Sequence, residues 1–321
     1  MFQGRRYEKR NPFITTGMRH IKKGNIVWVN VIKPTTKDLQ FLAEEFKLHP
    51  IVLEELLHPS ARAKVEQFDS YLYFVYRLPV FDLEQKTSRR GEIDFIITKD
   101  TLISVSYERL EPVDLFIDKL DRDEHYKDRI LGGTTARLLY YLLDFCLSFA
   151  FRQLKHIDEK IEIIRKDLFA GRERQLLEDI SYIKRDLLSF YLCFQPQQGI
   201  FKSLLVVGPS FWGQEVQIYF SDLEGDYLRV LQYCINYKET IESFEETNVQ
   251  LLNAKMNSVM QKFTVLAFLT FPLILLTSIY QAITIKPFLT GNYYLDFWIL
   301  FGAVSVITLI LLRIFRKKGW F

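Results

Sequence analysis

Asn257, Met260, Thr264, Ala267, Phe271, Ile274 and Ser278 follow one another at steps of three and four residues. On a helix this spacing puts them on one face in a seven-residue, a/d-like repeat, which suits helices packed around an axis. The face is layered. Asn257 and Thr264 supply one polar ring, and Ser278 and Gln281 supply another. Met260, Phe263 and Phe271 supply apolar rings. Polar rings can meet a solvated ion, and an apolar constriction closes a bore by dewetting. This is the chemistry of passage rather than of bond making. The chain has no phosphate-binding glycine loop and no paired nucleophile and base, so an ATPase or other enzyme is not expected. His20, His49, His58, His125 and His156 lack metal-ligand spacing. Cys146, Cys193 and Cys234 are far apart and odd in number, which fits small core residues in a reducing compartment.

The layered face needs a helix long and apolar enough to carry it. Phe263 to Ile285 is a run of 23 residues without a charge, and Phe297 to Leu312 is a run of 16, extending to Tyr293 across the single Asp296. A bilayer core asks for about 20 apolar residues per helix. Two such runs with a short polar connection read as a helical hairpin with spans at roughly 263–284 and 293–314, because only a helix satisfies its own backbone in lipid. Lys255 and Lys262 precede the first run, and Arg313, Arg316, Lys317 and Lys318 follow the second. Such a Lys/Arg excess marks the cytoplasmic side, so both termini are expected there, in an inner or plasma membrane. The N-terminus is polar and basic, so insertion is expected to use the hairpin.

The 321 residues carry a net charge of +3, and the mean hydropathy is near zero. That average hides a charged stretch up to about residue 260 and an apolar remainder. A pI near 8.5 is too mild to argue for nucleic acid. Residues 1–20 read as a loose leader. Asn25 to Val31 reads as a first strand, Lys37 to Phe46 as a helix capped by Thr35 or Thr36, and Pro50 to Leu57 as a short helix. Tyr71 to Phe81, Glu92 to Thr98 and Thr101 to Tyr107 read as strands, the last two joined by a tight turn at Lys99 and Asp100. From Glu111 the periodicity is helical. Thr134 to Phe169, ended by Gly171, and Gln175 to Phe194 are long helices, and Pro196 to Pro209 is a break or short helix. A last helix starts between Trp212 and Phe220 and meets no proline until Pro272. At ~1.5 Å per residue its roughly 60 residues span ~90 Å, too long to stand alone. Leu223, Tyr227, Val230, Leu231, Cys234, Tyr237, Ile241, Phe244, Val249 and Leu252 form its bundle seam. The fold class is α+β. A small α/β domain over 1–110 precedes a helical domain and stalk over 111–256, and the transmembrane hairpin occupies 257–321.

Several stretches together carry a family resemblance. They are Trp28, Phe46-Lys-Leu-His-Pro50, Leu56-Leu57, Ala63-Lys-Val-Glu-Gln-Phe68 with Tyr71-Leu-Tyr-Phe74, Asn257-Ser-Val-Met260, Pro272, Ile279-Tyr280, and Arg316-Lys-Lys-Gly-Trp-Phe321. In order and spacing the chain resembles the CorA-type divalent-cation transporters over nearly its whole length. The resemblance implies a cytoplasmic α/β domain, a stalk helix and two transmembrane helices. It also implies a homopentamer in the lipid bilayer whose first transmembrane helices line the pore. Asn257 matches a pore asparagine, and the bulky positions match a hydrophobic gate. Asp222 falls where the family carries an acid at a cytoplasmic cation-sensing interface, with Glu224 and Asp226 able to join it. Glu246 matches an acid near the inner mouth. Carboxylates are hard-oxygen ligands suited to Mg²⁺. His49 belongs to the fold signature.

The chain departs from the family at the outer mouth. The family's Gly-Met-Asn after the tyrosine is replaced by Gln281-Ala282-Ile283. An asparagine ring there could hold Mg²⁺ through its waters, since Mg²⁺ dehydrates reluctantly; isoleucine offers no oxygen. Gln281 and Thr284 are the nearby candidates to supply one. The segment from Ile285 to Asn292 has no carboxylate, and Lys286 repels cations. The expected function is a passive divalent-cation channel or transporter, with Mg²⁺ as default substrate and regulator and Co²⁺, Ni²⁺ or Zn²⁺ as further candidates. The alternatives are a non-conducting or regulatory oligomer on the same scaffold, or a carrier of another ion.

Overall fold

A computed structural model describes residues 17–60, 62–82, 87–169, 172–283 and 290–317. They form two units, Met1–Glu245 and Glu246–Phe321.

The first unit is built on a six-stranded mixed sheet. Its strands are β1 (Met18–Lys23), β2 (Ile26–Ile32), β3 (Val65–Gln67), β4 (Leu72–Asp82), β5 (Thr87–Ile97) and β6 (Thr101–Ser106), in the order β1-β2-β6-β5-β4-β3. Only β2 and β6 run parallel, with Val29 opposite Ile103. Successive side chains point to opposite faces of a strand. Val29, Val31, Tyr73, Val75, Ile96, Ile103 and Val105 therefore share one face, packed against Leu39, Leu42, Val52 and Leu56 from α1 (Thr36–Phe46), α2 (Pro50–Glu55) and the residue after α2. Trp28, Phe74, Tyr76 and Phe95 lie on the other face. There Trp28 meets Phe116 of α3 (Glu111–Arg122), with ring centroids 5.7 Å apart. Tyr76 meets Phe201 of α7 (Gln198–Trp212) edge-on at 6.2 Å. With both faces covered, β4 reads as a long apolar run without clean alternation.

Local chemistry explains most boundaries. Thr35 and Asp38 form a reciprocal capping box at the start of α1, and Lys47 closes that helix in the left-handed region. His49 caps α2 through Nδ1, which accepts from the Ile51 amide, and Pro50 occupies the first turn. Thr134 caps α5 (Thr135–Asp167).

The structure corrects the sequence reading in two places. The leader ends earlier than residue 20, because Met18–Lys23 is a strand. It pairs with β2 across Gly24 and Asn25, and Gly24 has φ +58°. A two-residue hairpin with glycine at positive φ in its first position has the sense of the sheet's twist. Its polar sequence buries little beyond Ile21, so hydrophobic pattern alone does not reveal it. The short strand β3 is likewise absent from the sequence reading. Of the two alternatives expected around Pro196 to Pro209 the structure has the helix, α7, 15 residues long with Gly208 and Pro209 inside it. Gly171, expected to end α5, lies outside the described residues.

The helices α3, α4 (Glu124–Leu131), α5, α6 (Glu173–Phe194), α7 and the first part of α8 (Gln217–Ile283) complete this unit. Phe190, Phe194, Tyr227 and Phe201 stack in sequence, with centroids 5.4, 6.0 and 4.6 Å apart. Tyr227 Oη donates to the Phe194 carbonyl at 2.7 Å. Leu223, Tyr227, Val230, Cys234 and Ile241 are the buried part of the predicted seam, while Val249 is exposed. The three cysteines are free and buried, and burial pushes each thiol up to about 12, as befits inert core residues. A Cβ on Gly208 would come within 2.5 Å of the buried Phe220 ring. Gly208→Ala should therefore cost about 1–3 kcal/mol by overpacking. A lower thermal midpoint for the purified full chain checks this, and an unchanged one would show that the Phe220 ring can move.

In the second unit the last part of α8 and α9 (Tyr293–Lys317) pair side by side. Phe268 meets Phe315 at 5.6 Å and Tyr280 meets Phe297 at 5.4 Å. Both helices are long and apolar enough to cross a membrane.

Candidate ion path and acidic groove

Pairing with α9 divides the surface of α8. Val265 and Pro272 are buried on the shared side. Asn257, Met260, Phe263, Phe271, Ser278 and Gln281 are exposed, with 60–67% of Met260, Phe263 and Phe271 open. Thr264 is half-buried, and its hydroxyl donates to the Met260 carbonyl one turn back at 2.8 Å. Its oxygen keeps lone pairs for a water or ion. The structure thus brings the predicted layered residues onto surfaces that α9 leaves open. Thr284 lies outside the described residues, so its place at the mouth is not defined.

Asp296, the one charge crossed in extending the second apolar run to Tyr293, lies at the start of α9. Asp296 is fully buried. Its Oδ1 accepts from the Thr290 amide at 2.8 Å and from the Thr290 hydroxyl at 2.6 Å. Asn292 Oδ1 accepts from the Tyr294 amide at 3.1 Å and caps α9. Gly291 sits between them at φ +76°, a region that favours glycine. Asp296 therefore brackets the end of the connection. The run Thr290-Gly-Asn292 ahead of it is the sequence signal for such a turn.

The predicted regulatory acid Asp222 lies exposed near the start of α8. It lines an open groove with Leu205, Val206, Gln214, Asp226 and Arg229. Tyr140 Oη of α5 donates to Asp222 Oδ2 at 2.7 Å. Asp226 pairs with Arg229 at 3.3 Å. Burial raises the carboxyl of Asp144 on α5, and the negative charges of Asp226 and Asp222 add to that rise. Neither Tyr140 nor Asp144 was among the predicted site residues, because α5 is distant in sequence and no local motif links it to Asp222. Glu246 is exposed on α8, in the second unit. Among the described residues, no three His, Cys, Asp or Glu side chains converge as a ready-made metal site.

The whole arrangement has counterparts among known proteins. A cobalt/magnesium transport protein CorA of Thermotoga maritima is 23% identical over 295 residues, covering 91% of this chain and 83% of that protein. The protein of the same name from Methanocaldococcus jannaschii is 22% identical over 296 residues, covering 92% and 91%. The complete structure of the CorA magnesium transporter from that organism superposes with a TM-score of 0.78 at 21% identity, over 94% of this chain and 93% of the other. At that identity the likeness establishes the fold. The family model for CorA-like Mg²⁺ transporter proteins matches residues 23–317, nearly the whole chain. The chain belongs to the CorA-like Mg²⁺ transporter family.

Proposed function

We propose that this protein is a passive, gated divalent-cation channel or transporter, with Mg²⁺ as its default substrate. Co²⁺ is a second substrate suggested by the names of two relatives; Ni²⁺ and Zn²⁺ are further candidates. The carrying observation is the open face of α8, where oxygen-bearing residues alternate with bulky apolar ones while other residues pack on α9. A homopentamer in the inner or plasma membrane would close that face around a central path. Residues 1–110 and 111–256 form the cytoplasmic domains in this reading, residues 257–321 form the hairpin, and both termini face the cytoplasm. Asn257, Thr264, Ser278, Gln281 and Thr284 offer oxygens to a hydrated ion, and Met260, Phe263 and Phe271 form the dewetting gate. Asp222 and Glu246 bind cytoplasmic cations that regulate opening, with Asp226 and Asp144 adding negative potential near Asp222.

The replacement of Gly-Met-Asn by Gln281-Ala282-Ile283 favours a second reading, a non-conducting regulatory oligomer. Purified protein in proteoliposomes separates the two. With 100 mV inside negative, the driving force on a divalent ion is ~4.6 kcal/mol, from ~2.3 per charge. Passive Mg²⁺ accumulation should approach roughly three orders of magnitude at equilibrium. Co²⁺, Zn²⁺ and Cl⁻ run in parallel test the other ions. No flux of any ion from assembled protein would support the regulatory reading. In that case, gain of flux on restoring Gly-Met-Asn at 281–283 would locate the block at the mouth.

A further inference from the structure

Where α2 meets the sheet, polar groups gather that the transport reading does not use. Asp94 of β5 is completely buried, and so is Tyr73 of β4. The Tyr107 hydroxyl, just beyond β6, lies 2.5 Å from Asp94 Oδ2 and 3.1 Å from the backbone carbonyl of Glu55. Both neighbours are acceptors when Asp94 is ionised, and a phenol has one proton to give. Glu55 is the last residue of α2, at a helix end whose carbonyls lack intrahelical donors. Both short contacts become hydrogen bonds only if a second proton is present. If Asp94 carries it, Oδ2–H donates to Tyr107 Oη, and Tyr107 donates to the Glu55 carbonyl.

The surroundings favour the neutral acid. Asp94 Oδ1, Ser60 Oγ and Glu55 Oε2 are buried beside the Tyr73 hydroxyl, which has one proton to share among them. The cations nearby are already engaged. Arg77 of β4 is paired with Glu92 of β5, and Lys64 is paired with Glu55 and with Glu66 of β3. The titratable groups facing Asp94 are Tyr107, Glu92, Glu55 and Tyr73, none of them cationic.

We infer that Asp94 is a proton-binding site within the N-terminal unit, and that its proton completes a relay through Tyr107 that pins the C-terminal end of α2 to the sheet. Losing the proton leaves Tyr107 bonded to the carboxylate and frees the Glu55 carbonyl, which loosens α2. Burial pushes the Asp94 carboxyl up to about 8; hydrogen bonds from Tyr107 and Tyr73 oppose this, and the charges of Glu92 and Glu55 reinforce it. Asp94 therefore keeps its proton into the neutral pH range. Because the carboxyl is raised in the folded state, its contribution to stability is complete below its unfolded value near 4. That contribution is lost as pH rises to about 8 and then levels off.

The test uses the full chain in detergent and two substitutions. Infrared difference spectra of wild type between about pH 6 and pH 10 should show the carbonyl stretch of a neutral carboxylic acid disappearing, and Asp94→Asn should lack that band. In Tyr107→Phe the band should persist but move to higher wavenumber, because the acid has lost its acceptor. Asp94→Asn keeps a donor toward Tyr107 at every pH. Between about pH 5 and pH 8, the wild-type folded-to-unfolded ratio should fall about tenfold per pH unit relative to Asp94→Asn. Absence of the acid band in wild type at pH 6 would overturn the inference. So would a band that survives in Asp94→Asn or is unmoved in Tyr107→Phe. Should Asp94→Asn fail to fold, the wild-type and Tyr107→Phe spectra still decide.

Discussion

Arg77→Met is expected to destabilise the N-terminal unit by about 3–5 kcal/mol, because it leaves Glu92 as a buried charge without its partner. The side chains of Arg77 and Glu92 are only 8% and 7% exposed, and Arg77 Nε donates to Glu92 Oε2 at 3.1 Å. The pair also ties down the segment after α2. Arg77 Nη2 donates to the Ser60 carbonyl at 2.6 Å, and the Ser60 amide donates to Glu92 Oε1 at 2.5 Å. Gln197 meanwhile accepts from the Arg77 amide and donates to its carbonyl, both at 2.7 Å. The backbone anchor therefore survives the substitution, and the loss belongs to the side chain. For a unit of this size the thermal midpoint should drop by roughly 6–20 °C, from about 2–4 °C per kcal/mol. The double substitution Arg77→Met, Glu92→Met should recover much of that, because an apolar pair of similar volume can replace a buried ion pair at little cost. If the single and double variants melt together, isolation of the Glu92 charge is not the source of the loss.

The largest effect on activity is expected from Asn257→Leu in proteoliposomes, a fall in divalent flux of at least about tenfold. A tenfold loss needs only about 1.4 kcal/mol added to the highest barrier. In the proposed assembly, replacing a ring of amide oxygens by isobutyl groups would remove hydrogen-bond partners from the ion's water shell in every subunit at once. Asn257→Ser keeps an oxygen at the ring and should retain most of the flux. Phe271→Ala should act in the opposite direction, since a smaller apolar constriction wets more readily. Asn257 and Phe271 are both exposed on α8, so neither change disturbs packing within the single chain. Unchanged flux in assembled Asn257→Leu would take Asn257 off the ion path. Loss of flux in Phe271→Ala would show that its ring holds the path open.

Much of this architecture is legible locally, because its causes lie within a few residues of one another. The charge-free runs predict the two membrane-length helices, which emerge as the end of α8 and α9. Thr35, Pro50 and Thr134 mark helix starts through caps that act over two or three residues. The three- and four-residue periodicity of Leu223, Tyr227, Val230 and Cys234 predicts a seam that is buried. The layered face of Asn257, Thr264 and Phe271 follows from the same periodicity.

Folding alone decides the fate of the charges, because their partners are remote. Arg77 meets Glu92 across 15 positions and the Ser60 carbonyl across 17, and Asp222 meets Tyr140 across 82. Asp94 looks like any polar residue breaking an apolar strand until Tyr107 and the end of α2 close over it. The strand Met18–Lys23 is polar and forms because β2 offers it an edge. Asp296 resembles a lone charge at the edge of a span until Thr290 folds back onto it. Hydrophobic period and capping are properties of a segment. The desolvation of a charge, and the donors that compensate it, are properties of everything packed around it.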